Sequence, residues 1–253
     1  MPLKERISAF DGLDITDDQR EILEAIRSFV DSEIIPVAKE LEARDEFPAA
    51  IVDGLRDMGA FGMRIPEEYG GLGLDLVTYA LAIAELTRGW MAVSGIVNGQ
   101  YIVGGMIAAH GSDEQKAAYL PRLAAGEIRS CFSMTEPGAG SDVQSIITTA
   151  RREGDEFVIN GAKMWVTNGD RASVIALLVK TDPDAQPRHA GMTALLVDKE
   201  PLGLRGEVEN TLKVMKQRGT PCVLGLRDVM DEPGLLAPEW ERKHAVPALA
   251  KYY

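Results

Sequence analysis

FSMTEPGAGSD at 132–142 and, further along, NGAKMWVTNG at 160–169 are the two stretches on which the reading of this sequence turns. In the first, a short strand is expected to end at Thr135. A loop follows in which Gly138 and Gly140 carry no Cβ, with hydroxyls of Thr135 and Ser141 at either end. Such a loop can bring backbone N–H groups close to an anionic group or a polarised ring; it can equally be a surface turn between strands. A Rossmann reading of the same glycines fails, because GAGSDV at 138–143 lacks the third glycine and no parallel strand–helix unit surrounds it. Gly71-Leu72-Gly73 fails in the same way. In the second stretch, Trp165 is expected in a strand, where an indole serves a core more often than a ligand.

Outward from these stretches the C-terminal half reads as sheet. Segments 131–134, 157–160, 164–167, 174–180 and 192–197 are short and rich in β-branched or aromatic residues, with Gly, Asp, Asn and Pro between them. Glu153-Gly154-Asp155 and Asn160-Gly161 are tight-turn sequences. Regular short strands joined by tight turns predict an antiparallel sheet curled into a small barrel.

The N-terminal half reads as helices. Thr16 to Gln19 fits a capping box, followed by Ile22, Leu23, Ile26, Phe29 and Val30 at helical spacing. Pro36 is expected to kink or end that helix, since it lacks the N–H and crowds the preceding turn. Pro48 suits the first turn of a helix through Ile51, Leu55 and Met58, stopped by Gly59. Asp75 can cap a third helix ending near Gly89. Segment 91–109 is apolar on most faces, which suits a buried helix, and a second capping box runs from Ser112 to Gln115. The fold class is therefore α+β: a helical bundle over 1–126, then a barrel over 127–237, then a tail over 238–253.

Charge narrows the function classes. A net charge of −12 and a pI near 4.8 exclude nucleic acid as the main partner, because a phosphate backbone needs a basic footprint. Cys131 and Cys222 have neither a zinc spacing nor a disulfide framework, so no metal is expected and each cysteine reads as a small core residue. The N-terminus, MPLKERISAF, has neither signal-peptide nor transit-peptide layout. The apolar 91–109 segment is broken by Asn98, Gln100 and glycines, so no membrane span is expected. A cytoplasmic protein is the expectation.

Taken together, the two opening stretches resemble the paired signature of the acyl-CoA dehydrogenase family. IPEEYGGLG at 65–73 and HGSDEQKAAYLPRLAAGE at 110–127 are similar to that family's helical domain, and the likeness runs from about Asp14 to Leu204. The resemblance implies FAD as cofactor. It places Phe132, Met134, Thr135, Gly140 and Ser141 along the flavin and its phosphates, with Trp165, Val166 and Thr167 over the other face of the ring. Ser141 matches a position at the junction of flavin and acyl-CoA, so it also falls to the substrate. The implied reaction is α,β-dehydrogenation of an acyl-CoA thioester, its electrons leaving to an acceptor like electron-transfer flavoprotein, in a homo- or hetero-oligomer.

The family's catalytic glutamate lies in a C-terminal helical domain. After Gly203 the likeness weakens. Arg218-Gly219-Thr220, Asp228-Val229 and Leu235-Leu236 are similar to the barrel's last strands, whereas 238–253 matches nothing, and Glu239 and Glu241 sit at no family base position. No catalytic residue is therefore assigned, and the expectation is a truncated homologue that holds flavin weakly and turns over slowly or not at all. Two alternatives stand beside it: a non-catalytic chain that assembles with a complete homologue, and a flavin oxidase or monooxygenase on the same fold.

Overall fold

The computed structural model describes residues 15–154, 156–198 and 223–225, the last as backbone alone. The expectations placed on Cys222, on 218–220, on 228–236 and on 238–253 lie outside these residues.

Six helices come first. The Thr16 capping box opens α1 (Asp17–Phe29), with the Gln19 amide donating to Thr16 Oγ1 at 3.2 Å and the Thr16 amide to Gln19 Oε1 at 2.8 Å. Gln19 Nε2 also donates to Asp75 Oδ2, at 2.6 Å, which joins this helix start to another. Pro36 has the expected effect in a specific form. A π turn (Val30–Ile34) precedes α2 (Ile35–Ala43), and the Ile35 amide reaches back five residues to the Val30 carbonyl. One wide turn accommodates the missing N–H where a regular helix would break. After Pro48 comes α3 (Ala49–Asp57), with Gly59 in the left-handed region just beyond it. Asp75 caps α4 (Leu76–Gly89) by accepting from the Val77 and Thr78 amides. The 91–109 segment is α5 (Met91–His110), and the second capping box opens α6 (Asp113–Ala124). By length and composition α5 alone among the described helices could cross a membrane. It is half buried against α4, α6 and the sheet, which is the setting of a core helix.

Six strands follow: β1 (Ser130–Ser133), β2 (Thr149–Glu153), β3 (Glu156–Asn160), β4 (Val174–Lys180), β5 (Met192–Asp198) and β6 (Val223–Gly225). The sheet order is β3-β2-β4-β5-β6, and β1 pairs with β4. The expected antiparallel barrel needs correction. β2–β3, β4–β5 and β5–β6 are antiparallel, but β1 runs parallel to β4, and β2 meets β4 in parallel at Thr149–Lys180. Among the described residues the sheet does not close. The chain leaves β1 through a long loop and the β2–β3 hairpin before returning, so β1 and β4 pair with the same direction. Turn residues betray a hairpin, but nothing local betrays this return.

Alternation along β4 and β5 sorts the core into two layers. Val174, Ala176, Leu178, Met192, Ala194 and Leu196 face the helices, packed with Ile65, Val103, Ile107, Leu120 and Leu123. Leu177, Val179, Leu195 and Val197 face the other way with Ala150 and Ile159. Each such aliphatic side chain contributes about 1.5–3 kcal/mol when fully buried. The helical core proper gathers α1 to α5 around Leu23, Val30, Leu55, Ala82 and Leu86.

Candidate functional site

The site forms where the chain leaves β1. The strand stops at Ser133, two residues before the Thr135 boundary read from sequence. Glu136 and Ala139 then bond amide to carbonyl in both directions, at 2.9 and 3.1 Å, so 136–139 is a tight turn with Pro137 and Gly138 at its tip. Beyond it Gly140, Ser141 and Asp142 are exposed. A Cβ built on Gly138 or Gly140 meets nothing within 4 Å, so this loop borders open space.

The second stretch is not the expected strand. Residues 161–166 have no regular structure, 167–170 turn, and Trp165 has φ +58°, in the left-handed region. Trp165 is 79% exposed, which removes it from the core. The segment is nevertheless held firmly. Gly161, at φ +154°, passes so close to Thr148 that an added Cβ would lie 2.6 Å from the Thr148 Cα. At the other end Asn168 Nδ2 donates to the Ile96 carbonyl of α5 at 3.0 Å.

The two stretches meet. The Met164 amide donates to the Thr135 carbonyl at 2.9 Å, and Lys163 Nζ donates to the Met134 carbonyl at 2.9 Å and to Glu136 Oε1 at 2.8 Å. Of the residues read from sequence, Met134 and Thr135 are thereby tied to the segment that carries Trp165 and Val166. Phe132, within β1, packs against the core between helices and sheet, and Thr167 lies beside Gly95 of α5. Gly140 and Ser141 stand past the tight turn, where Arg188 pairs with Asp142 at 3.6 Å and donates to Ser145 Oγ at 3.1 Å. Val166 and Thr167 also border a cleft of about 490 Å³ that reaches Phe47, Trp90 and Arg171, whose guanidinium lies 3.8 Å from the Phe47 ring centre.

Glu136 and Lys163 were not singled out from sequence. Both are buried, with side chains about 2% and 3% exposed. Burial pushes the Glu136 carboxyl up, but the Ile147 amide, Lys163 and Thr148 outweigh it and hold it below its ordinary range. Burial also pulls the Lys163 ammonium below its ordinary value, and Glu136 restores part of the difference. The available signal was an acid inside the first stretch, flanked by Thr135 and Pro137, and the single base of the second. Among the described residues no cluster of three His, Cys, Asp or Glu could hold a metal.

Known proteins match most of this chain. A family model described as the N-terminal domain of acyl-CoA dehydrogenase matches residues 16–127, and one for the middle domain matches 131–229. An acyl-CoA dehydrogenase of Bacillus subtilis is 36% identical over 236 residues, covering 92% of this chain and 62% of that protein. The crystal structure of an acyl-CoA dehydrogenase from Geobacillus kaustophilus superposes with a TM-score of 0.69 at 34% identity, over 74% of this chain and 50% of that one. A glutaryl-CoA dehydrogenase from Mycobacterium smegmatis, solved in complex with FADH2, gives 0.67 at 32% identity over 76% and 49%. The chain thus spans 49% to 62% of the length of these relatives.

Proposed function

We infer function from a plain premise: the chain belongs to the acyl-CoA dehydrogenase family and carries its N-terminal and middle domains. On that premise residues 132–141 and 165–167 seat FAD, for α,β-dehydrogenation of an acyl-CoA thioester. The observation that carries the reading is the Met164–Thr135 bond, which joins a polar loop with two bare glycines to a segment that leaves an indole uncovered.

The residues fit a flat anionic-headed ligand of this kind. The exposed Trp165 indole offers an apolar face at which a ring can stack. Gly138 and Gly140 border open space, so backbone can approach phosphate or ring without steric cost. Ser141 supplies a hydroxyl beyond the turn, toward phosphate groups and the acyl-CoA. When bound, FAD would supply the hydride acceptor for the acyl chain; the chain's own part is to hold donors where negative charge develops. Glu136 is not the base that takes the α-proton. Two amides and an ammonium already occupy its carboxylate, and its depressed pKa makes it a weak proton acceptor. An acceptor of the electron-transfer flavoprotein kind and assembly into an oligomer belong to the same proposal.

FAD titration of the 253-residue chain tests the reading, followed by quenching of tryptophan emission and by the flavin absorption band. Saturable uptake that Trp165→Ala abolishes or weakens at least tenfold supports it. A chain that takes up no FAD at any reachable concentration removes it.

A further inference from the structure

We propose that the buried Lys163–Glu136 pair is a positioning device that aims the Thr135 amide, and through it sets the binding and reduction potential of the flavin seated there. The inference rests on the flavin reading above and goes beyond it, since neither residue is among those that reading assigns to the flavin.

Two charges are taken fully out of water at this point. The ion pair has both side chains almost wholly buried, and such burial costs several kcal/mol per ion. An apolar pair of similar volume serves stability as well or better, so stability alone does not account for it. What the ammonium does that a methionine cannot is hold a carbonyl. Lys163 Nζ donates to the Met134 oxygen at 2.9 Å. The Met134–Thr135 peptide is planar and trans, so its N–H points opposite to that oxygen, away from Lys163. The Thr135 carbonyl is taken by the Met164 amide. Among the described residues the Thr135 N–H has no acceptor, so it is left as an aimed, free donor at the loop that borders open space.

The anchor behind the ammonium is stiff. Glu136 Oε2 accepts from the Ile147 amide at 2.6 Å, and Oε1 accepts from the Thr148 amide at 3.0 Å as well as from Lys163. Thr148 is itself wedged against Gly161, at the head of the segment that carries Lys163 and Trp165. Both walls of the flavin slot are therefore referenced to one carboxylate. A backbone donor fixed in this way needs no reorganisation when charge collects on a reduced ring, and the nearby ammonium adds to the same effect.

The decisive variant is Lys163→Met combined with Glu136→Gln, which removes both charges at nearly constant volume. The expected result is a chain with unchanged thermal midpoint that binds FAD about tenfold more weakly. Its oxidised-to-reduced equilibrium shifts about tenfold toward oxidised flavin, about 30 mV for a two-electron couple, in dye-equilibration titration. Lys163→Arg, which keeps a cation and donors, restores at least part of that shift. If the double variant fails to fold, Glu136→Gln alone is read on the same two scales. Uptake and potential equal to those of the wild-type chain in a folded variant overturn the inference alone. A wild-type chain that takes up no FAD overturns the functional reading and this inference together, so the two failures are told apart.

Discussion

Gln100, in the middle of α5, accepts through one side-chain oxygen from both the amide and the hydroxyl of Ser130, the first residue of β1, at 2.9 and 3.1 Å. Its Nε2 donates to the Leu123 and Ile128 carbonyls at 2.9 Å each, so a single 1%-exposed side chain ties the last helix, the connection and the first strand together. Helical and sheet halves are locked at the point where the chain enters the site.

Replacing Gln100 with leucine preserves volume but strips the Ser130 amide and the Ile128 carbonyl of this partner. Each unpaired buried group costs about 1–3 kcal/mol, so we expect a loss of about 3 kcal/mol. Urea titration followed by circular dichroism measures it. A loss below about 1 kcal/mol would mean that water or a neighbour satisfies these groups.

Gly161→Ala and Gly140→Ala should part company. The first forces a Cβ into Thr148 at a backbone angle side chains rarely adopt, with an expected cost above about 2 kcal/mol. The second meets open space, so stability should stay within about 0.5 kcal/mol while FAD uptake weakens. Parallel thermal melts and flavin titrations of both variants give the comparison.

Trp165 holds a left-handed backbone with an exposed ring, a local strain of about 1–3 kcal/mol. Trp165→Gly is therefore expected to be more stable than Trp165→Ala, by up to about 1 kcal/mol. Both should lose flavin binding. Equal stability of the two variants in denaturant would show that the angle relaxes once the indole is gone.

Acid should destabilise the fold through two carboxyls. Burial raises Asp75, but the hydroxyl and amide of Thr78, with Gln19 and Val77, bring it below 3.8; Glu136 is likewise held below 4.5. A carboxyl whose folded pKa is depressed contributes stability that is present above its ordinary value and lost as pH falls through the folded one. Stability should thus be flat from neutral pH to about 4.5 and fall below it. Asp75→Asn, which keeps a cap, should flatten the part of the fall that starts near 3.8 in a pH series of urea melts.

The helical half was legible because its signals are local. Both capping boxes, the Asp75 cap and the π turn before Pro36 act within one or two turns, and each stands where its residues put it. The β2–β3 hairpin was legible for the same reason, through its tight turn at Gly154. The 164–167 segment misled, since Met, Trp, Val and Thr have strand preferences. There tertiary ties from Lys163 to Met134 and from Asn168 to Ile96 override them.

The sequence by itself determined that 174–180 and 192–197 are strands, where the helices end and, through two long stretches in order, the family. These depend on side-chain period and on contacts between near neighbours in the chain. Only the tertiary structure decided that β1 runs parallel to β4, that the indole of Trp165 stands in the open, and that Glu136 and Lys163 meet across 27 residues. Such contacts are made by chain segments that return from far away, and their energy lies in burial and direction, which no local pattern records.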